Sequence, residues 1–259
     1  MRSVVNASRL PIHFVPDHAA DPALAYEAAV YSSGNVVTRA ANWHDFFNAL
    51  VWLNWPHTKA ALNALHIRAG MSPVRSRPRD ALTLLDESGV VVACSEPALW
   101  NHLARADWHE LFVRQRATVR TAMRFYLIGH ALHEKALVPF PSMTGKCVQV
   151  AVTEDFFALD IAQQRTQLDA MLARQLSATP PQTPAQFPPL PLLGIPDVTA
   201  ASEHPDFYAD TNIFRPRRVI QPELCSGAVS QGIVLNTLCA SASFTHCAQV
   251  DSDTITNHH

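Results

Sequence analysis

Seven of the 17 residues from Pro180 to Pro196 are proline, and no other stretch limits the fold as severely. Proline lacks the backbone N–H and fixes φ, so this stretch can be neither a helix nor a central strand. It should run extended, in a polyproline-like form, and close the periodic part of the chain. Beyond it, Pro205–Tyr208 and Ile213–Pro216 keep enough aromatic character to pack back on the domain. From Ser226 onward the residues are small and polar with almost no charge. The expected organisation is an extended arm over 1–21, one globular domain over 22–218 that includes the proline-rich segment, and a poorly ordered tail over 219–259.

Before the prolines, helix and strand signals alternate. Pro22–Tyr31 reads as a short helix ended by Ser32-Ser33-Gly34-Asn35. Asn42 is a good N-cap, with Asp45 at the third helical position as in a capping box, and Pro56 stops that helix after Trp55. A second helix over about Thr58–Ile67 makes an αα-hairpin with it. Leu82–Leu85 and Val90–Ala93 flank Asp86-Glu87-Ser88-Gly89, which reads as a β-hairpin. Ser95 and Pro97 open a helix to about Arg105, and Asp107 with Glu110 marks another. Met123–Ile128 reads as a strand running through Gly129 into a helix that ends before Pro139. Lys146–Val152 is a further strand, and Thr153 to about Leu176 a long amphipathic helix. The fold class is therefore α+β: a helix-rich single domain with a small mixed sheet of about four strands, one β-hairpin among them.

Composition sets the broad class. With 48% apolar and 16% charged residues the chain is globular. It has no apolar run near the roughly 20 residues that cross a bilayer and no signal peptide, so no membrane contact and a cytoplasmic location are expected. Five cysteines without paired spacing suggest no disulfide framework. Cys225, Cys239, His246 and Cys247 lack the close pairing of a zinc knuckle. A formal charge of −2 predicts no specific attraction to nucleic acid. Three of the 20 basic residues are lysines, Lys59, Lys135 and Lys146, which leaves 17 arginines. That skew fits anion recognition through the guanidinium fork, and equally a compositional bias of the genome.

Three segments carry polar groups in apolar surroundings. On the first long helix His44, Asp45 and Asn48 fall within about a third of the circumference, beside Trp52 and Trp55, and His44 would titrate near neutrality. Asp45 is also where a helix-dipole or capping carboxylate belongs, which is the stronger reading of that residue. Arg75, Arg77 and Arg79 alternate around Pro78, and in an extended chain all three would project to one side and run into Asp80. Asp80 and Asp86 would then close the two ends of a strand and could hold a divalent metal; Asp86 with Gly89 is otherwise an ordinary turn pair. Gly129-His130-Ala131-Leu132-His133-Glu134-Lys135 places His130 at a strand-to-helix junction, beside free backbone N–H groups, with Glu134 one turn on. Arg114, Arg116, Arg120 and Arg124 would extend an anion-binding face only if the fold turned them toward Arg79. P-loop, dinucleotide-binding and serine-elbow motifs are missing.

The expected catalytic residues are His44, Asp80 and His130, with Arg39, Asn48, Arg79 and Trp52 as substrate contacts. They suggest an enzyme acting on a small phosphate- or carboxylate-bearing substrate by histidine general acid–base chemistry. A non-catalytic anion- or partner-binding module is the alternative. No cofactor is expected beyond a possible divalent metal at Asp80 and Asp86, and the oligomeric state is open.

Thr38-Arg39, Asn42–Leu53, Arg79-Asp80-Ala81-Leu82-Thr83, Gly129–Leu132 with Glu134-Lys135, Gly194-Ile195-Pro196, Phe207-Tyr208 and Phe214-Arg215-Pro216 together resemble a bacterial domain-of-unknown-function family, number 3025. The resemblance spans about Tyr26 to Arg218. It departs at Asp197-Val198, where the family pattern has aromatic residues, and it implies domain limits without an activity or a catalytic residue.

Overall fold

Gly89-Val90-Val91-Val92-Ala93-Cys94 is buried at every position, as an apolar run must be when both of its faces are covered. Around it the computed structural model describes residues 3–19, 24–70 and 76–216, all within one compact unit, Met1–Arg218. The elements follow as β1 (His13–Val15), α1 (Tyr26–Ser33), β2 (Asn35–Val37), α2 (Trp43–Asn54), α3 (Pro56–Arg68), α4 (Arg77–Ser88), β3 (Gly89–Cys94), α5 (Pro97–Arg105), α6 (Arg116–Ala122), β4 (Met123–Leu127), α7 (His130–Lys135), β5 (Thr144–Ala151), α8 (Ile161–Ala178) and β6 (Pro189–Pro191). A π-helical turn, Glu110–Arg114, precedes α6.

The mixed sheet has the order β4-β3-β5-β6. β3 pairs antiparallel with β4 and parallel with β5, and β6 pairs antiparallel with β5. Alternation along β3 divides the core. Val90, Val92 and Cys94 pack with Leu99, Leu103, Leu111 and Phe112. Val91 and Ala93 pack on the other side with Leu62, Leu82, Leu85, Leu168 and Leu172. The sheet thus lies between two helical layers, and no helix among the described residues is long and apolar enough to cross a membrane.

The α+β class and the four-stranded mixed sheet stand, but the expected β-hairpin is replaced. Arg77–Ser88 is helical, so Leu82–Leu85 is not a strand and Asp80 and Asp86 do not close strand ends. Ser76 caps the helix, Pro78 sits in its first turn, and Ala81, Leu82 and Leu85 form its buried face. A run as short as Leu82–Leu85 fits both periodicities, and here tertiary packing decides. Gly89 then changes helix to strand without a loop: a Cβ there would lie 2.2 Å from the Leu85 carbonyl oxygen.

Other corrections are smaller. The capping box expected at Asn42 is half made: Asn42 accepts from the Asp45 N–H, while the Asp45 carboxylate turns to Arg39. The helix expected from Thr153 begins only at Ile161: a 3-10 turn at Glu154–Ala158 takes its first part, and Asp160 with Gln163 forms the capping box that starts α8. The proline-rich segment contributes the edge strand β6, where missing N–H groups are harmless, and 3-10 turns at Pro184–Gln186 and Leu192–Gly194. Tyr208 and Phe214 do pack back, beside Phe112 and Trp108. In the N-terminal segment β1 pairs parallel with β2. Arg75, Cys225, Cys239, His246, Cys247 and the proposed tail lie outside the described residues.

Candidate functional site

Four helices, α1, α2, α4 and α7, converge on one cleft. On α4, Arg79, Thr83, Asp86 and Glu87 follow helical spacing and share one side. Opposite them α2 presents His44 and Asn48, and α1 adds Tyr26 and Glu27. α7 begins with His130, and the preceding Gly129 fixes where it starts. A Cβ on Gly129 would lie 2.5 Å from both the Glu87 carbonyl oxygen and the Gly89 nitrogen, so main chain rests on main chain and His130 emerges beside Glu87. The cleft enclosed by these residues has a volume of about 670 Å³.

At its centre the Nε2 atoms of His44 and His130 are 3.0 Å apart. Glu87 Oε2 lies 3.5 Å from His130 Nε2 and 3.9 Å from His44 Nε2. Behind each ring stands another carboxylate. His44 Nδ1 is 3.1 Å from Glu134 Oε2, and His130 Nδ1, buried and without a hydrogen-bond partner, faces Asp86 Oδ2 at 3.7 Å.

Asp86 is anchored in turn. Its Oδ1 accepts from Lys59 Nζ at 2.6 Å; Lys59 also donates to Asn48 Oδ1 at 2.9 Å, and Asn48 Nδ2 donates to the Tyr26 hydroxyl at 2.7 Å. Burial opposes charge on both partners, but mutual attraction outweighs it: the Lys59 pKa is raised and the Asp86 pKa lowered. Burial pushes His130 down, against the charge of Asp86. Glu27 is pushed up to about 7 by burial and then by the charge of Asp86, although Asn63 Nδ2 donates to its carboxylate at 2.7 Å.

Residues 12–218 match the family described as "Protein of unknown function (DUF3025)". The chain belongs to that family. No curated protein and no solved structure matches it.

Within this DUF3025 domain, His44 and His130 meet, and Arg39, Asn48 and Arg79 line the same cleft. Arg39 is already engaged, with Nε 2.7 Å and Nη2 2.9 Å from the carboxylate of Asp45, which this hydrogen bond holds at a lowered pKa. Asp80 lies in the first turn of α4 and is not among the lining residues. Trp52 is 1% exposed and packs beneath Lys59, whose Nζ stands 5.5 Å from its ring centroid, so it supports the site from the core. Asp80 and Asp86 cannot share an ion: six residues along one helix is about 9 Å of rise, and Asp86 is paired with Lys59. Glu134 bonds His44, the opposite histidine from the one expected. α7 has only six residues, and the His130 ring faces carboxylates, not an anion-binding N-terminus. Arg114, Arg116 and Arg120 pair with Glu110, Glu203 and Asp197, away from the cleft.

Sequence reasoning missed Glu87, Lys59, Tyr26 and Glu27. The signal for Glu87 was Ser76 followed by Pro78 and Asp80, a helix start that makes Glu87 the second-turn neighbour of Arg79 on one face. Among the described residues, His44, Glu87 and His130 offer ligand atoms within 4.8 Å of one another, so these three are the ones that could hold a metal.

Proposed function

We propose that the cleft is an enzyme active site for a small substrate bearing a phosphate or carboxylate group. His44 and His130 supply the basic nitrogens that activate the attacking group, and Arg79 across the cleft holds the substrate anion. The observation that carries this reading is the approach of two imidazoles to 3.0 Å in a concave site backed by Asp86, Glu87 and Glu134. Paired titratable groups in a shaped, partly dry cleft are what proton-transfer chemistry requires. The test is a turnover screen over phosphate and carboxylic esters. His44→Ala and His130→Ala should remain folded by circular dichroism and lose roughly 10²–10⁴-fold in rate; variants as active as the wild type would sink the reading.

One observation favours a second reading, a partner-binding module. Trp43 and Phe46 on α2 are 58% and 46% exposed beside His44, more than a buried face would leave. A thermal shift with a bound ligand but no turnover across the screen would favour it.

A further inference from the structure

We propose that His44, Glu87 and His130 form a mononuclear site for a divalent transition-metal ion of the zinc class. This rests on the enzyme reading and shares its centre, but passes the activation of the attacking group from the imidazoles themselves to the ion they would hold; its test reads metal binding and not turnover.

The argument begins with where the imidazole protons sit. His44 Nδ1 lies 3.1 Å from Glu134 Oε2, so that nitrogen carries the hydrogen. His130 Nδ1 has Asp86 Oδ2 at 3.7 Å, and a bare lone pair turned toward a carboxylate is repelled, so it too carries its hydrogen. Both Nε2 atoms are then acceptors, and they face each other at 3.0 Å with the Glu87 carboxylate at 3.5 and 3.9 Å. Three electron-pair donors lie within 3.9 Å of one another. A single proton between the imidazoles would satisfy two of them; a metal ion satisfies all three.

The spacing agrees. Tetrahedral zinc with bonds of about 2.0–2.2 Å to nitrogen and oxygen sets its ligand atoms about 3.3–3.5 Å apart. The observed 3.0, 3.5 and 3.9 Å bracket that value, within side-chain adjustments of a few tenths of an ångström. The outer layer agrees in part, because ligand histidines commonly donate the far N–H to a carboxylate: His44 does so to Glu134 at 3.1 Å, and His130 Nδ1 faces Asp86 at 3.7 Å, beyond a hydrogen bond. Lys59 fixes Asp86 behind His130. Two nitrogens and one oxygen suit zinc or a neighbouring first-row ion better than magnesium or calcium, which prefer oxygen alone. Three protein ligands at the wall of a cleft leave the fourth position to water or substrate, as in catalytic metal centres. A bound ion there would make water a nucleophile at neutral pH.

The test uses the full chain, freed of metal by chelator dialysis and titrated with zinc, cobalt(II), manganese(II) and magnesium ions. The expected result is one zinc or cobalt ion per chain by elemental analysis, a raised Tm, and much weaker magnesium binding. Glu87→Gln, nearly isosteric and at a 37% exposed side chain, should fold and bind zinc at least 10-fold more weakly. Glu134→Gln should cost about 10–100-fold through the outer layer, and His102→Ala on α5 should change nothing. Zinc binding equal in wild type, Glu87→Gln and His44→Ala, or no binding in the wild type, overturns the proposal. Metal-free turnover that depends on His44 would overturn the metal while keeping the enzyme reading.

Discussion

Two clusters of charge lie on this domain and are built on opposite principles. Arg116 and Arg120 meet Asp197 and Glu203 at the surface, where the Arg120 and Asp197 side chains are 44% and 60% exposed. Lys59, Asp86 and His130 meet inside, with Lys59 and His130 side chains at 5% exposure. The surface network is fully paired and joins the segment after the proline-rich stretch to α6. The inner cluster pairs Lys59 with Asp86 and, at the cleft wall, brings His130 beside the half-exposed His44 and Glu87 with no cation among these three. The surface charges serve as fastening. Inside, low dielectric enlarges both the benefit of a partner and the cost of lacking one, so losing one member of the Lys59–Asp86 pair should cost far more than losing one member of the surface network.

Four measurements break or sharpen that contrast. The largest effect is expected from Lys59→Met, which leaves Asp86 buried without its cation and should cost about 3–5 kcal/mol in urea denaturation. Lys59→Met combined with Asp86→Leu should recover most of that loss. A merely additive double variant would show that the pair does not act as a unit.

The next effect depends on pH. The Glu27 carboxyl has its folded pKa raised from 4.5 to about 7. Between those values the unfolded chain has released its proton while the folded one keeps it, so stability falls as pH rises through the window. The penalty is complete above about 7, at most roughly 3–4 kcal/mol. Glu27→Gln should flatten the wild-type decline between pH 5 and pH 8; parallel curves for the two proteins would contradict the assignment.

Smaller again is Gly129→Ala. The added methyl meets Glu87 and Gly89 backbone at 2.5 Å and should cost about 1–3 kcal/mol, with the His44 and His130 ring resonances displaced together in NMR spectra. Unchanged resonances would show that the histidine pair does not depend on that contact. The smallest effect is Arg120→Ala, below about 1 kcal/mol and reduced further by salt; a loss as large as that of Lys59→Met would erase the distinction between the clusters.

How much of this was legible depended on how local each cause was. Asn42 and Pro56 bound α2 through groups a few residues away, and Gly129-His130 marks its junction in the same manner, so all were readable. The Asp86–Gly89 tetrad carries a turn signature within itself, while the packing of Ala81, Leu82 and Leu85 that makes it helical comes from distant elements, α3, β3 and β5 among them. Glu87 was hidden by that ambiguity. Lys59 gave no signal because its partner is 27 residues away and an isolated lysine reads as surface. The meeting of His44 with His130 spans 86 residues; each was visible as a polar exception, and their approach was not.

The contact of Gly129 with residues 87–89 makes the centre a property of strand register. Val90 lies opposite Leu127 in the β3–β4 pair, three residues before His130 on one strand and three after Glu87 on the other. A slip of one residue would carry His130 about 3.3 Å along and turn alternate side chains to the wrong face, a displacement as large as the spacings within the centre itself. A misregistered chain could keep its helices and much of its core and still possess no site. The geometry of this cleft is therefore a sensitive reporter of how accurately β3 and β4 find each other.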